Sequence, residues 1–160
     1  MINKLKFYLS LIIARCAYIG IRLLNKSSGT SFVGMLVLKI CPNFLKYCSK
    51  YIKKYIITIT GTNGKSTTSG LIAHILETAH QKVVHNLKGA NMLTGVANVF
   101  ALSIAPLKRY DYAVIESDEA YLTKLYDYMK SDYLVVTNLF RDQLDRYGEL
   151  NTTAEFIKNA

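Results

Sequence analysis

The chain has 160 residues, of which 51% are hydrophobic and 19% charged, and its formal charge is +9. That apolar content excludes a disordered chain, and nine glycines with two prolines exclude collagen-like and low-complexity classes. The length suits one domain that buries roughly two thirds of its unfolded surface. Cys16, Cys41 and Cys48 form neither an even disulfide set nor a CxxC pair, which fits buried or incidental thiols in a reducing compartment.

The charge is uneven. Met1 to Leu76 holds eleven Lys and Arg and no acid, whereas Glu77 to Ala160 holds nine basic and eleven acidic residues. Such asymmetry points to a polyanionic neighbour, nucleic acid or an acidic membrane surface, or to a solvated basic face. Nothing resembling a nucleic-acid motif is present, so no nucleic-acid partner is expected.

Lys4 and Lys6 precede the apolar run Phe7 to Ala14. Arg15 and Arg22 interrupt it well before the ~20 apolar residues a spanning helix needs, and no clear cleavage site follows. The spacing predicts a basic amphipathic helix. Its face of Leu5, Leu9, Ile12 or Ile13, Cys16 and Ile19 or Gly20 is expected to pack on protein, with attachment to a membrane surface as the competing reading. Lys26 to Ser31 reads as a polar linker, and two short apolar segments divided by Pro42 follow.

The pattern then changes. Tyr55 to Thr60, Lys82 to His85, Tyr112 to Glu116 and Tyr133 to Thr137 read as strands. Between them Ser66 to His80, Met92 to Ala105 and Glu119 to Met129 read as helices. Alternating β and α predicts an α/β fold, a doubly wound, mostly parallel sheet of the P-loop type. We expect an N-terminal basic helical segment, 1–54, followed by the α/β domain, 55–160.

In such sheets ligands sit at the carboxyl ends of strands. The first strand runs into Gly61, Thr62, Asn63, Gly64, Lys65, Ser66 and Thr67, and then into a helix. Glycines let the backbone fold round phosphate oxygens, helix amides face the anion, Lys65 adds a point charge and Ser66 can bind metal. The loop is a short form of GxxxxGK[ST], because Ile59 stands where the first glycine would be. After the third strand, Glu116 suits a hard cation such as Mg²⁺, while Asp118 suits a helix N-cap. The fourth strand runs into Thr137 to Glu149, TNLFRDQLDRYGE.

These three elements together resemble the Mur ligase superfamily, whose central ATPase domain carries a GTNGK[ST] loop, a strand-end Glu and a TN…D-H-x-D-R element. Here they are Gly61 to Ser66, Glu116, and Thr137 to Arg146. Gln143 stands where most members have His, and Asn86 to Met92 reads NLKGANM. Both details, with the N-terminal helix and linker, resemble the branch that amidates lipid II. Folylpolyglutamate synthases share the loop but typically insert a glycine that is absent here.

The resemblance implies an enzyme: an ATP-dependent carbon-nitrogen ligase of peptidoglycan synthesis that converts D-glutamate in the lipid II stem peptide to D-isoglutamine through an acyl phosphate. It implies ATP and Mg²⁺, lipid II as substrate, and ammonia from a GatD-type glutaminase. Lys65 and Glu116 would be catalytic, Ser66 and Glu116 would hold Mg²⁺, and Gly61 to Thr67 with Asn138 would hold the nucleotide. Asn91, Arg141 and Gln143 are candidates for the substrate side. Cytoplasm is the expected compartment, at the inner membrane face if the basic helix attaches. Related proteins of this branch are considerably longer and carry zinc in a later cysteine-rich insertion, so this chain is expected to be an N-terminal portion without zinc. A non-catalytic ATP-binding module, or another amide ligase of the superfamily, is the alternative.

Overall fold

The computed structural model describes residues 2–23, 29–86, 91–106, 108–139 and 150–159. Helix α1 (Ile2–Leu23) opens the chain, followed by α2 (Gly29–Ile40), α3 (Phe44–Cys48) and a 3₁₀ turn (Ser49–Tyr51). Then come β1 (Ile52–Thr60), α4 (Lys65–Thr78), β2 (Val83–His85), α5 (Leu93–Ser103), β3 (Tyr110–Glu116), α6 (Glu119–Tyr126), β4 (Tyr133–Val136) and α7 (Leu150–Lys158). The four strands form one sheet in the order β2-β3-β1-β4. Every pairing is parallel, as the β-α alternation predicts.

The alternation of side chains along β1 divides the apolar residues between two faces. Ile59 meets Val114 and Ala73 of α4 on one side, with Ile57, Ile72 and Val135 beside them. Ile56, Ala113, Ile115 and Val84 join the larger core on the other side, built from α1, α2, α3, α5 and α6. The helices of the basic N-terminal half therefore share the sheet's own core. Phe7 of α1 stacks on Phe44 of α3 at 5.2 Å. α2 meets α5 so closely that a Cβ on Gly34 would lie 1.7 Å from the Thr94 carbonyl oxygen.

One expectation for α1 is reversed. The buried line is Phe7, Leu11 and Ala14, with Ala17, Tyr18 and Ile21 partly covered. Leu5, Leu9, Ile12, Cys16 and Ile19, the face expected to pack on protein, is exposed. The helix is apolar on two sides, and only the side against α2, α3 and α5 finds a partner among the described residues. Among those residues no helix is long and apolar enough to cross a membrane.

Strand order places the site. From β1 the chain crosses leftward to β2, and from β3 it crosses rightward past β1 to β4. The carboxyl ends of β1 and β3, where the windings diverge, therefore border a crevice of the kind that takes ligands in doubly wound sheets.

Candidate functional site

Register sets Ile59 opposite Glu116 and Thr60 opposite Val136, so the ends of β1, β3 and β4 lie level. The loop between β1 and α4 is braced from the β4 side. The Thr62 amide donates to the Asn138 carbonyl at 2.9 Å, and Thr137 Oγ1 donates to the Asn63 carbonyl at 2.7 Å. Asn138 uses both ends of its amide on one residue: Oδ1 accepts from the Asn63 amide at 3.0 Å and Nδ2 donates to the Asn63 carbonyl at 3.1 Å. Its place is that of a clamp on the phosphate loop.

Gly61 and Gly64 have φ of +124° and +82°, a region L side chains rarely adopt. A Cβ on Gly61 would also fall 2.3 Å from Thr137 Oγ1. Gly64 is the N-cap of α4, and no side chain caps that helix. The first-turn amides of Lys65, Ser66 and Thr67 are thus presented at the mouth of the loop, where a helix start favours an anion. Asn63 and Thr67 are exposed and Thr62 is buried.

Lys65 is folded into the loop and 9% exposed. Its Nζ donates to the carbonyls of Gly61 and Thr62, and lies 3.6 Å from Glu119 Oε2. That distance makes an ion pair but no hydrogen bond, and the Glu119 carboxylate oxygens, 1% exposed as a residue, have no hydrogen-bond partner among the described residues. Glu119 is the functional candidate missed by sequence reading, which placed it only in the first turn of a helix. Its signal was the third carboxylate of the run Glu116, Asp118, Glu119 at a buried strand end.

Ser66 Oγ donates to Glu116 Oε2 at 2.8 Å, bringing together the hydroxyl and the carboxylate expected to hold a hard cation. Glu116 is buried, and Asn86 fixes its backbone: Oδ1 accepts from the Glu116 amide at 2.7 Å and Nδ2 donates to its carbonyl at 2.8 Å. Asn86, which precedes a segment outside the described residues, thereby locks β2 to β3 at the site. The donor set fits Mg²⁺ as a partial ligand set, since it offers oxygens of one carboxylate and one hydroxyl, and this ion usually takes its remaining ligands from water and phosphate.

Asp118 caps α6, accepting from the Ala120 amide at 3.2 Å, as expected. Asn91 is brought to the same corner, its carbonyl accepting from the Asp118 amide at 3.1 Å. Arg141 and Gln143 lie outside the described residues, with the motif beyond Leu139. Below the site, His85 Nε2 lies 3.2 Å from Ser69 Oγ. Burial pushes its imidazole pKa below 6.5, partly opposed by Glu116 and Glu77.

A parallel α/β sheet with a glycine-rich strand-to-helix loop, a buried lysine and a paired Ser hydroxyl and Glu carboxylate has the layout that phosphate-binding domains use. The Mur ligase middle domain matches residues 59–158, and the chain belongs to that family. It is 36% identical over 157 residues to the lipid II isoglutaminyl synthase (glutamine-hydrolyzing) subunit MurT of Streptococcus pneumoniae, covering 98% of this chain and 34% of that protein. It is 37% identical over 135 residues to the MurT subunit of Staphylococcus aureus (strain COL), covering 82% and 30%. The chain therefore spans about a third of the length of these curated relatives. The solved structure of MurF ligase from Thermotoga maritima in complex with ADP has the same fold, with a TM-score of 0.61, 18% identity, and coverage of 84% of this chain and 30% of that one. MurF from Acinetobacter baumannii is similar at a TM-score of 0.56, with 20% identity over 78% of this chain and 28% of the other.

Proposed function

We infer that this chain is the nucleotide-binding portion of an ATP-dependent carbon-nitrogen ligase of peptidoglycan synthesis, one that amidates the α-carboxylate of D-glutamate in the lipid II stem peptide. The observation that supports this reading best is the 36% identity over 157 residues to a subunit named for that amidation. The substrate carboxylate attacks the γ-phosphorus of ATP, releasing ADP and leaving an acyl phosphate. Ammonia from a GatD-type glutaminase then attacks the acyl carbon and inorganic phosphate departs, giving D-isoglutamine.

Gly61 to Thr67 would cradle the phosphates through backbone amides, with Asn138 holding the loop in shape. On phosphate binding, Lys65 would exchange its bonds to the Gly61 and Thr62 carbonyls for the β and γ phosphate oxygens. Ser66 and Glu116 would hold Mg²⁺, which supplies charge neutralisation at the transferring phosphoryl group. Asn91, Arg141 and Gln143 belong to the segments we assign to the substrate side. The reaction belongs in the cytoplasm at the inner membrane face, because its substrate is lipid-linked and the first 76 residues carry no acid.

The test is Lys65→Ala placed in the native gene, followed by analysis of the stem peptides. We expect glutamate in place of isoglutamine, and unchanged amidation would overturn the reading. Mg²⁺-dependent ATP binding by the purified chain, combined with unchanged amidation in the variant, would instead mark a nucleotide-binding module without catalysis.

A further inference from the structure

At the end of the sheet opposite the phosphate loop, the segments entering β1, β2 and β3 bring four cations together. Lys53, Lys82, Lys108 and Arg109 line a pocket of about 600 Å³ completed by Ala105 and Pro106. Among the described residues none of the four forms an ion pair. Asp111, the acid closest to them in sequence, gives Oδ2 to the Lys82 backbone amide at 2.9 Å. The Arg109 guanidinium lies 4.3 Å over the Tyr51 ring and the Lys108 ammonium 4.8 Å over Tyr110, so ring faces hold both. Arg109 also lines a second pocket of about 200 Å³, with Lys4 and Lys50 among the rings of Tyr8, Tyr47 and Tyr51. Arg109 borders both, so the two basic pockets adjoin, and Lys4 brings the second to the first turn of α1.

Beside these pockets runs the uncovered side of α1. Leu5, Leu9, Ile12, Cys16, Ile19 and Leu23 are separated by alternating steps of four and three, which places them in one line along a helix. Leu5 is 71% exposed, Ile12 60% and Leu23 81%. The residues one position earlier are Lys4, Tyr8, Leu11, Arg15, Tyr18 and Arg22; Leu11 turns into the core, while Lys4 and Tyr8 line the second pocket. An apolar line flanked by cations thus lies beside basic pockets wide enough to admit a phosphate group.

We propose that this face docks on an anionic lipid bilayer, with the apolar line of α1 in the acyl boundary and the pocket around Lys53, Lys82, Lys108 and Arg109 taking a phosphate headgroup. It deepens the membrane contact in the reading above, and rests on it. Charge complementarity selects the occupant: a bilayer offers apolar depth and phosphate together, and no acid in the first 76 residues repels it. A second copy would set two like-charged surfaces face to face.

Cys16 lies in the line and is exposed, whereas Cys41 and Cys48 are buried, so a polarity-sensitive thiol probe can be attached at Cys16. Phosphatidylcholine vesicles with and without phosphatidylglycerol are then added, and flotation is measured in parallel. We expect flotation and a blue shift only with phosphatidylglycerol. A Lys53→Ala, Lys82→Ala, Lys108→Ala variant should partition at least tenfold more weakly, and Leu9→Asn with Ile12→Asn should abolish the blue shift. These positions are exposed, and unchanged melting checks the fold. Absence of flotation, equal flotation on both vesicles, or lysine variants that float like the parent would overturn the proposal. So would a chain that binds inorganic phosphate or an oligonucleotide in place of vesicles, or one that dimerises through Leu9 and Ile12. Mg²⁺-dependent ATP binding, at the other end of the sheet, is expected to persist in every variant, which separates failure here from failure of the ligase reading.

Discussion

Lys65 is held by three groups at once, and the balance between them determines how readily it serves a phosphate. Two are carbonyls and the third is the buried carboxylate of Glu119, 3.6 Å away and without a hydrogen-bond partner among the described residues. That carboxylate attracts the ammonium and repels an incoming phosphate. Glu119→Gln keeps the shape and removes the charge, and should tighten ATP binding by roughly 1 kcal/mol, about fivefold, in calorimetry. Unchanged or weaker binding would mean that Glu119 orients Lys65 rather than competing for it. His85 provides a second readout. Burial holds its folded pKa below the ordinary imidazole value of 6.5, so the unfolded chain binds the proton first as pH falls. The corresponding stability is present above about pH 6.5 and lost as pH falls through the depressed folded value. Urea melts without nucleotide should show a steeper loss below that pH for the parent than for His85→Gln. At this scale the sequence made Lys65, Ser66, Glu116 and Asp118 legible because each is adjacent to a strand end or helix start. Glu119 and Asn86 were not, since their roles depend on contacts with Lys65 and Glu116 that sequence distance does not reveal.

Elements were legible where period and punctuation agreed. The four strands and the helices between them fall within about three residues of their sequence-derived limits. Pro42 divides α2 from α3 as its place between two apolar segments implies, whereas the glycines were less readable. Lys26 to Ser31 reads as a linker, yet α2 begins at Gly29. Gly34 gives no hint in sequence of its close approach to α5. There a Cβ would lie 1.7 Å from the Thr94 carbonyl oxygen and 3.1 Å from the Asn98 amide nitrogen. Both atoms belong to the α5 backbone, which cannot give way as a side-chain tip can, so Gly34→Ala should force α2 off α5. Overpacking of this kind costs about 1–3 kcal/mol or more, and the melting temperature should drop by roughly 5 °C or more. Gly61→Ala meets Thr137 and the Asn138 backbone and carries an unfavourable φ, so it should remove nucleotide binding as well. If Gly34→Ala also removed nucleotide binding in a still-folded chain, the separation drawn between helix packing and site would be wrong.

Across the molecule, the two ends of the sheet divide the chemistry. The carboxyl ends of β1 and β3 carry the glycine-rich loop, the Ser66 and Glu116 pair and Lys65, while the opposite end and α1 carry cations without an ion pair among the described residues and the exposed apolar line. The sequence showed the excess of positive charge but not its grouping, because Lys53, Lys82, Lys108 and Arg109 converge only when three parallel strands start level. It likewise showed an amphipathic α1 without showing which side is covered, since Phe7, Leu11 and Ala14 follow the same helical period as Leu5, Leu9 and Ile12. β4 forms one edge of the sheet among the described residues, with Tyr133, Leu134 and Val136 exposed. The central claim is that the loop from Gly61 to Thr67 is a working nucleotide site. Calorimetry of Mg²⁺ and ATP on this 160-residue chain beside Lys65→Ala tests it most directly. The account predicts Mg²⁺-dependent binding that is largely lost in the variant. Equal binding by both chains, or no binding by a chain shown to be folded, would contradict it.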